Sequence, residues 1–560
     1  MSKHDLLIIG AGLAGLRAAV EGVRQGLNVA VITKVHPVRS HSNAAQGGIN
    51  AALTDRGDDW RDHAFSTIKG SDYLADQDAV EVMCREAGDA IIELENMGVI
   101  FSRDDEGKLG TRAFGGQKKA RTYFVGAITG SALLHVLYEQ SVKYNLHIYE
   151  EWFVTKLIKE DGRIAGAVAF DIKTGQMEMI SAKAVVLATG GAGRVFEPST
   201  NALICTGDGL SLAMQAGVPL MDTEMIQYHP TTLAGNGILL SEAARGDGAY
   251  LINSEGERFM EKYAPEYMEL ASRDVVSRAE QTEIDEGRGV DGCVFLDLRH
   301  LGKKFIEDRL GYLQEVALEF RGIDLSEKPI PIKPGMHYIM GGIKTDLNGA
   351  TNVPGLYAAG ECANVSVHGA NRLGANSLLD TIVFGRRSAI ESVEYIKSVK
   401  DIEIDPKELS REKSRIQSIL DRPKGMRSAE LRDKMGSTMT KGIGVWRDTE
   451  SIKYAIEGMK SIRGQLPNVY VENKGKVFNT DLTSYLELEF MVDVAESICQ
   501  GANARFESRG AHFRTDVTTR NDKDWLKHTI VEYNGEELNT TSEDVTLSLI
   551  HISEPTRPFH

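Results

Sequence analysis

The chain has 560 residues, so we expect it to form about three to four domains and to be large enough to enclose a cofactor. Hydrophobic residues make up 42% and charged residues 26%, and no segment has the long uncharged apolar run that a bilayer-spanning helix requires. The net charge of -16 argues against general nucleic-acid binding, which depends on clustered lysine and arginine, and an anionic substrate would need a locally basic pocket.

The N-terminal residues predict a strand, a glycine-rich turn and a helix. The apolar run Leu6 to Ile9 leads into GAGLAG, which contains Gly10, Gly12 and Gly15. In this pattern the first glycine makes the tight turn, the second lets the backbone approach a pyrophosphate, and the third lets helix and strand pack closely. A second predicted strand, Val29 to Thr33, completes the opening βαβ unit of a dinucleotide-binding fold.

Two further predicted strands also end in glycine. Ala184 to Ala188 leads into Thr189, Gly190 and Gly191, and Leu356 to Ala359 leads into Gly360 and Glu361. Three strand ends would therefore bring glycine to one ligand. A long flavin dinucleotide needs such backbone approach at several strand ends, so the pattern favours FAD.

The end of the second strand also argues against a plain NAD dehydrogenase. It carries Thr33 and Lys34, where an acid that binds ribose is usual. Glu361 is placed to accept a hydrogen bond from a ribityl hydroxyl. Asp208 has two open interpretations, a cofactor contact or an N-cap for the helical run Leu210 to Ala216.

Composition divides the remainder of the chain. Stretches without glycine or proline, such as Lys407 to Leu420 and Glu487 to Ile498, predict helices. We therefore predict an α/β protein: a Rossmann-like FAD-binding domain with an inserted α+β capping domain, then a helical domain and a small C-terminal domain. The predicted bounds are 1–232 with 338–403 for FAD binding, 233–337 for the cap, 404–515 for the helical domain and 516–547 for the C-terminal segment. Residues 548–560 break the preceding pattern and are predicted to be an artefactual tail.

The cysteines and the N-terminus suggest a reducing compartment. The five cysteines are widely spaced and form no CxxC pair: Cys84, Cys205, Cys293, Cys362 and Cys499. We expect free thiols and no metal site. An apolar strand begins almost directly after Met1, so we expect no signal peptide and a bacterial-type cytoplasmic location.

A series of motifs, in order along nearly the whole chain, resembles the flavoprotein subunits of succinate dehydrogenase and fumarate reductase. The motifs are RSHS from Arg39, AQGG from Ala45, YHPT from Tyr228, SEAARGDG from Ser241, SRDVVSR from Ser272, HYIMGGI from His337, HGANRLGANSLLD from His368, SRGAHFRTD from Ser508 and DKDWLKHT from Asp522. The resemblance implies that His41 is bonded covalently to FAD. Such a bond would raise the flavin's reduction potential, which oxidation of an unactivated C–C bond requires.

The glycine motifs and the resemblance together give the predicted cofactor-binding residues. These are Gly10, Gly12, Gly15, Thr33, Lys34, His41, Ser42, Gln46, Gly47, Gly48, Gly190, Gly191, Asp208, Glu361, Arg372, Ser377 and Leu378.

By resemblance the substrate is succinate or fumarate, a four-carbon dianion that needs donors at both ends. His229 and Arg372 would hold one carboxylate, and Ser241 and His337 the other. Arginine suits this role because its donor fork has a fixed geometry. The family usually has threonine where this chain has Ser241, a change that keeps the hydroxyl donor.

By the same resemblance Arg273 transfers the proton, and Glu242 and Arg245 form the relay to solvent. Arginine has a pKa above about 12 and is normally never deprotonated. In fumarate reduction a high pKa is tolerable, because the carbanion-like product is strongly basic. In succinate oxidation Arg273 must be transiently neutral, which needs desolvation and neighbouring cations such as Arg245.

The resemblance also implies partners: an iron-sulfur subunit, cytochrome b-type membrane-anchor subunits and, through them, a quinone. The chain would then lie at the cytoplasmic face of the bacterial inner membrane, attached through those subunits. Two alternatives remain. An L-aspartate oxidase would lack the attachment histidine, so His41 argues against it, and a non-catalytic flavoprotein would not need the dicarboxylate-binding residues.

Overall fold

The structure is a computed structural model that describes residues 2–114, 116–117 and 119–547. The predicted artefactual tail, 548–560, lies outside the described residues. In chain order the strands are β1 (Ser2–Ile9), β2 (Val29–Thr33), β3 (Ile49–Asn50), β4 (Thr111–Arg112), β5 (Thr122–Tyr123), β6 (His147–Glu150), β7 (Trp152–Glu160), β8 (Arg163–Asp171), β9 (Met177–Leu187), β10 (Leu220–Met221), β11 (Ile226–Leu233), β12 (Tyr250–Ile252), β13 (Val294–Asp297), β14 (Ile330–Ile339), β15 (Gly342–Lys344), β16 (Leu356–Ala358), β17 (Ala363–Asn364), β18 (Lys527–Tyr533) and β19 (Leu538–Asp544).

The α-helices occupy much of the rest of the described chain. They are α1 (Leu13–Arg24), α2 (Trp60–Gly70), α3 (Gln77–Met97), α4 (Thr129–Lys143), α5 (Asp208–Gln215), α6 (Ala243–Gly246), α7 (Met260–Tyr263), α8 (Arg273–Asp285), α9 (Lys303–Arg321), α10 (Asn376–Ser398), α11 (Lys407–Leu420), α12 (Ser428–Gly442), α13 (Thr449–Gln465), α14 (Thr480–Ala504) and α15 (Asp522–Trp525). Among the described helices, none combines the length and the apolar character needed to cross a membrane.

The largest sheet brings the predicted strand ends together. Its strand order is β6-β2-β1-β9-β8-β7, and β16 also pairs with β9. β1 and β16 both run parallel to β9, and Ile9 and Ala358 are both in register with Leu187. The three glycine-bearing turns therefore begin at the same level, at the carboxyl ends of neighbouring parallel strands. The predicted α/β class is confirmed.

The first turn requires glycine at two positions. Gly10 has a φ of 109°, and a Cβ there would lie 2.2 Å from the carbonyl oxygen of Ala188. At Gly15 a Cβ would lie 1.9 Å from the oxygen of Gly10. Any larger residue would push α1 away from β1 and β9, so the turn and the helix depend on each other.

The inserted segment forms its own sheet and core. The sheet has the order β11-β14-β13-β12, and α6 to α9 belong to the same stretch of chain. The long antiparallel pair of β11 and β14 leads into this segment and back out of it. The predicted limits of the cap, 233 and 337, fall inside these two strands. His229 on β11 and His337 on β14 are thereby brought to neighbouring strands.

The C-terminal half packs against the FAD-binding sheet. α11 has the predicted limits Lys407–Leu420, and α14 contains the predicted helix from Glu487 to Ile498. Phe490 of α14 stacks on Phe153 of β7 at a centroid distance of 6.0 Å. β18 and β19 extend a second sheet of order β17-β15-β10-β18-β19. All five cysteines are buried free thiols, as predicted.

A buried charge cluster connects the C-terminal segment to the FAD-binding domain. Nε of Arg505 donates to Glu224 at 2.7 Å, and the guanidinium also pairs with Asp222 and Glu507. His528 of β18 lies 2.6 Å from Asp222 through Nδ1. Removing one partner from such a buried cluster leaves an uncompensated charge, which typically costs several kcal/mol.

The charge on His528 gives this cluster a pH dependence. Burial opposes the charged form, but Asp222 and Asp76 outweigh it and raise the pKa of His528 to about 10. The stabilisation is therefore complete below the unfolded pKa of about 6.5 and is lost as the pH rises through the folded pKa.

We expect His528→Gln to lower the free energy of unfolding by on the order of 3 kcal/mol at pH 6, because it removes the cation that lies 2.6 Å from Asp222 and 3.2 Å from Asp76. The deficit should shrink as the pH rises toward 10. Melting temperatures of wild type and variant from pH 6 to 10 measure it, with the exposed His135→Gln as control. A deficit that stays constant across this range would show that the charge contributes nothing.

Candidate active site

One large cavity opens at the shared edge of the three strand ends. Its empty volume, counted out to the solvent at its mouth, is about 1750 Å³. The glycine turns form one end, and residues of the capping segment form the other. A cavity of this shape can hold a dinucleotide together with a small substrate.

Most of the predicted site residues line this cavity. They are Gly10, Gly12, Thr33, Lys34, His41, Ser42, Gln46, Gly47, Gly48, Gly190, Asp208, His229, Ser241, Glu242, Arg273, His337, Glu361, Arg372, Ser377 and Leu378. Three lie behind its wall: Gly15 under the first turn, Gly191 against the Glu361 carboxyl, and Arg245 beneath Glu242. The structure therefore collects residues that are hundreds of positions apart in the sequence.

The wall of the cavity presents polar groups that suit FAD. Buried atoms of Gln46 (Oε1), Thr189 (Oγ1) and Arg372 (Nε) have no hydrogen-bond partner in the described parts of the chain. Buried polar groups normally have such partners, so these atoms are available to a ligand. Burial raises the pKa of Glu361 to about 7, so this carboxyl can donate to or accept from a hydroxyl near neutral pH.

The N-terminus of α10 also faces the cavity. Ala375, immediately before the helix, has a φ of 65°, which turns the chain sharply into α10. Ser377 and Leu378 then line the cavity from the first turn of the helix. The positive end of the helix dipole favours electron-rich atoms of a bound ligand.

Lys34 and Asp208 form an ion pair at the cavity wall. Lys34 donates to Thr206 at 2.7 Å, to Asp208 at 2.8 Å and to Glu487 at 2.7 Å. α5 begins at Asp208, and its N-cap residue is Gly207. The N-cap interpretation of Asp208 is therefore wrong, because Gly207 occupies that position and the Asp208 carboxylate pairs with Lys34.

His41 is held as a neutral imidazole. The backbone N–H of Ala202 donates to Nδ1 at 3.2 Å, so the ring proton resides on Nε2. Burial, assisted by the nearby charge of Arg194, lowers the pKa of His41 to about 4. Nε2 is consequently the nitrogen that remains for contact with a ligand in the cavity.

Gln227 connects the two arginines predicted to act on the substrate. Its Oε1 accepts from Arg273 Nη1 and from Arg372 Nη2, each at 3.0 Å. Its Nε2 donates to Asn371 at 2.8 Å and to the backbone oxygen of Arg372 at 2.9 Å. Gln227 is not among the residues predicted from the sequence, although it directly precedes the YHPT motif.

Two neutral histidines stand beside these arginines. The rings of His229 and His337 lie 5.0 Å apart, and Nδ1 of His337 is 2.8 Å from the hydroxyl of Thr200. Burial, reinforced by Arg273, lowers the pKa of both histidines well below the usual range. They can act as hydrogen-bond donors at neutral pH without adding charge.

Arg372 is buried against an aromatic ring. Its guanidinium lies 4.5 Å from the centroid of Tyr338, a favourable cation–π distance. Burial, followed by repulsion from Arg273, lowers the pKa of Arg372 to about 10. The group remains charged at neutral pH, and its charge is only weakly compensated within the protein.

Glu242 lies between two arginines. Nε of Arg273 donates to its Oε2 at 2.9 Å, and Nη2 of Arg245 is 3.6 Å from the same oxygen. Arg245 is fully buried, and burial lowers its pKa despite the opposing charge of Glu242. The three predicted proton-transfer residues thus form one contiguous row.

Comparison with known proteins identifies the family. A family model described as an FAD binding domain matches residues 5–378, and one described as the fumarate reductase flavoprotein C-terminus matches residues 432–558. The succinate dehydrogenase flavoprotein subunit of Rickettsia conorii is 45% identical, over 97% of this chain and 97% of that protein. The chain belongs to the succinate dehydrogenase and fumarate reductase flavoprotein family. This confirms the predicted family, enzyme class and FAD cofactor.

Other members of the family agree over nearly the full length. The fumarate reductase flavoprotein subunit of Mycobacterium tuberculosis is 42% identical, over 95% of both chains. The solved structure of a FrdA variant from Escherichia coli quinol fumarate reductase superposes with a TM-score of 0.94 at 38% identity, covering 98% of both chains. The fold of this chain is therefore the fold of the family throughout.

We expect Gln227→Leu to weaken the binding of malonate, a dicarboxylate inhibitor, by about tenfold. The variant removes the oxygen that holds both arginines, and a buried donor without a partner costs about 1–3 kcal/mol. Flavin content should stay unchanged. Titration of the flavin absorbance with malonate measures the affinity, and the exposed Gln417→Leu serves as control. Unchanged malonate affinity would show that the arginines keep their positions without Gln227.

Proposed function

We propose that this chain interconverts succinate and fumarate. The observation that carries the proposal is the shared Gln227 oxygen, which keeps Arg273 and Arg372 together in the same cavity as the FAD-binding turns. Two neighbouring cations need an anionic ligand to offset their repulsion, and a dicarboxylate supplies two negative charges. The names of the relatives point to the same substrates.

The geometry supports a division of labour in substrate binding. Arg372 and His229 would hold one carboxylate, and Ser241 and His337 the other. The unpartnered Nε of Arg372 offers one more charge-assisted donor. Both histidines are neutral, so they would orient the substrate through hydrogen bonds while the arginines provide the charge.

The predicted cofactor-binding residues would hold FAD at the ends of the strands of the large sheet. The glycine turns would contact its pyrophosphate, and the first turn of α10 would contact another part of the cofactor. When bound, FAD supplies two-electron redox chemistry. Burial of this part of the cavity excludes water from the reacting atoms. Covalent attachment would occur through Nε2 of His41, the ring nitrogen that Ala202 leaves available.

The proton would pass through Arg273. In fumarate reduction its guanidinium would donate a proton to the reduced substrate, and Glu242, 2.9 Å away, would return one. Arg245 would keep Glu242 ionised at rest and, during turnover, would pass to Glu242 the proton that Glu242 gives to the neutral Arg273. In succinate oxidation the same groups would act in reverse.

Electrons would leave through an iron-sulfur subunit to a membrane-anchor subunit and a quinone. Support comes from the high likeness to the flavoprotein of a quinol fumarate reductase. The chain would then sit at the cytoplasmic face of the bacterial membrane, attached through these partners.

The first test concerns the covalent flavin. Acid-precipitated wild-type protein should keep its yellow fluorescence, and His41→Ser should release flavin on denaturation while still binding it in the folded state. The variant should lose succinate oxidation far more than fumarate reduction, because a lower flavin potential opposes only the oxidation. His36→Ser, on the same loop, is the control. Release of all flavin from denatured wild type would contradict covalent attachment.

The second test separates proton transfer from substrate binding. Arg273→Leu should slow fumarate reduction by at least the roughly 10²- to 10⁴-fold typical of acid–base residues, with a smaller effect on malonate affinity. Arg372→Leu should also weaken malonate binding severely, by about 2 to 5 kcal/mol, because a desolvated carboxylate loses its partner. Fumarate reduction by chemically reduced protein and malonate titration are the measurements.

Both arginine variants should retain FAD. Arg309→Leu, an exposed arginine on α9, controls for loss of a positive charge in the capping segment. If Arg273→Leu turned over near the wild-type rate, Arg273 would not be the proton donor.

A further inference from the structure

A glutamate behind the proton-transfer row has no evident structural role. Glu280 of α8 is 0% exposed, and neither of its carboxyl oxygens has a hydrogen-bond partner among the described residues. A buried carboxyl without partners is costly, and an apolar side chain would fill the same space without that cost.

The position of Glu280 on its helix points it toward the reaction site. It follows Arg273 by seven residues, about two turns, so both side chains project from one face about 10 Å apart along the axis. Ser277, between them, donates to the backbone of Tyr228 on β11 at 3.4 Å. This face of α8 therefore packs against the strand that carries His229 and Gln227.

Arg245 is the charged group with which Glu280 interacts. Nε and Nη2 of Arg245 are buried and, within the described chain, make no hydrogen bond, whereas Nη1 donates to the backbone of Glu269. Arg245 thus has two unpartnered donors, and its charge acts on the Glu280 carboxyl, whose two oxygens are also unpartnered.

The other charges around Glu280 are already neutralised. Glu269 pairs with Arg258 at 2.6 Å, and Glu283, one turn farther along α8, is bound by Arg288 at 2.6 Å. Burial raises the pKa of Glu280 well above its ordinary value, and Arg245 opposes this shift only in part. Complete burial without a hydrogen-bond partner therefore favours the neutral form of this carboxyl.

We propose that Glu280 is a proton-holding residue that acts through Arg245 and replenishes the Arg245, Glu242 and Arg273 row. The inference rests on the proposed function. One proton leaves the Glu280 carboxyl for each proton that Arg273 gives to the substrate, and no electrons move in this step. The resulting carboxylate is stabilised by Arg245 and regains a proton from solvent after the product leaves.

A neutral Glu280 also suits the charge of the site. Arg245, Arg273 and Arg372 carry positive charge, and Glu242 neutralises one of the three. The remainder matches the two charges of a dicarboxylate. An ionised Glu280 in the resting state would weaken this match, so the group serves best as a neutral acid that ionises only during turnover.

Glu280→Gln tests the proposal in the holoprotein. The amide replaces a neutral acid of the same shape, so flavin content, melting temperature and malonate affinity should stay within twofold of wild type. Fumarate reduction should slow by about tenfold or more. The solvent deuterium isotope effect on turnover should rise, because proton supply becomes rate-limiting. A purely structural glutamate would not change that isotope effect.

Glu280→Met, of similar size but apolar, should show the same slowing and the same raised isotope effect, and it provides a second test if the glutamine variant does not fold. Glu319→Gln, on an exposed face of α9, is the control. Wild-type turnover and isotope effect in either Glu280 variant would overturn the proposal. This outcome is distinct from a failure of the proposed function, in which Arg273→Leu itself would keep its activity.

Discussion

The candidate active site depends on two neighbouring guanidinium groups held against one amide oxygen. Arg273 and Arg372 each contact the same atom of Gln227, and each repels the other. The amide accepts from both without adding negative charge, so the site keeps its attraction for an anion. A glutamate in this place would neutralise one arginine and reduce that attraction. Glu242 pairs with Arg273, whereas Arg372 has no carboxylate partner among the described residues, so the site keeps positive charge for an anionic ligand.

The fold supplies these cations from separate parts of the chain. Gln227 belongs to β11, Arg273 begins α8 in the capping segment, and Arg372 lies in the FAD-binding part immediately before α10. The paired strands β11 and β14 connect these regions rigidly and also carry both histidines. The strand ends of the large sheet meet the same cavity from the opposite side. Substrate and cofactor residues therefore face one another because two sheets share one cavity.

Local patterns made the cofactor end predictable, whereas the long-range pairs could not be predicted. Gly10 and Gly15 predict the first turn, because a Cβ at either position would clash with nearby backbone atoms. The pairing of Lys34 with Asp208 joins positions 174 residues apart, so Asp208 resembles a simple N-cap in the sequence. Gln227 has no residue-type signal, and Glu280 lies in a polar helix where an acid looks like a surface residue. Only the packing of α8 on β11 reveals that Glu280 is buried.

The proposed mechanism uses an arginine as an acid–base group, and the neighbouring Arg372 illustrates how burial changes a guanidinium. Desolvation disfavours the charged form, and a neighbouring cation disfavours it further, which is why the pKa of Arg372 falls to about 10. In the proposed proton-transfer row, guanidinium and carboxyl groups alternate: Arg273, Glu242, Arg245 and Glu280. Each cation has an acidic neighbour that can return a proton. On the proposed mechanism, a proton would move along the row while the net charge facing the substrate stays nearly constant, so proton transfer would not weaken the binding of the dicarboxylate.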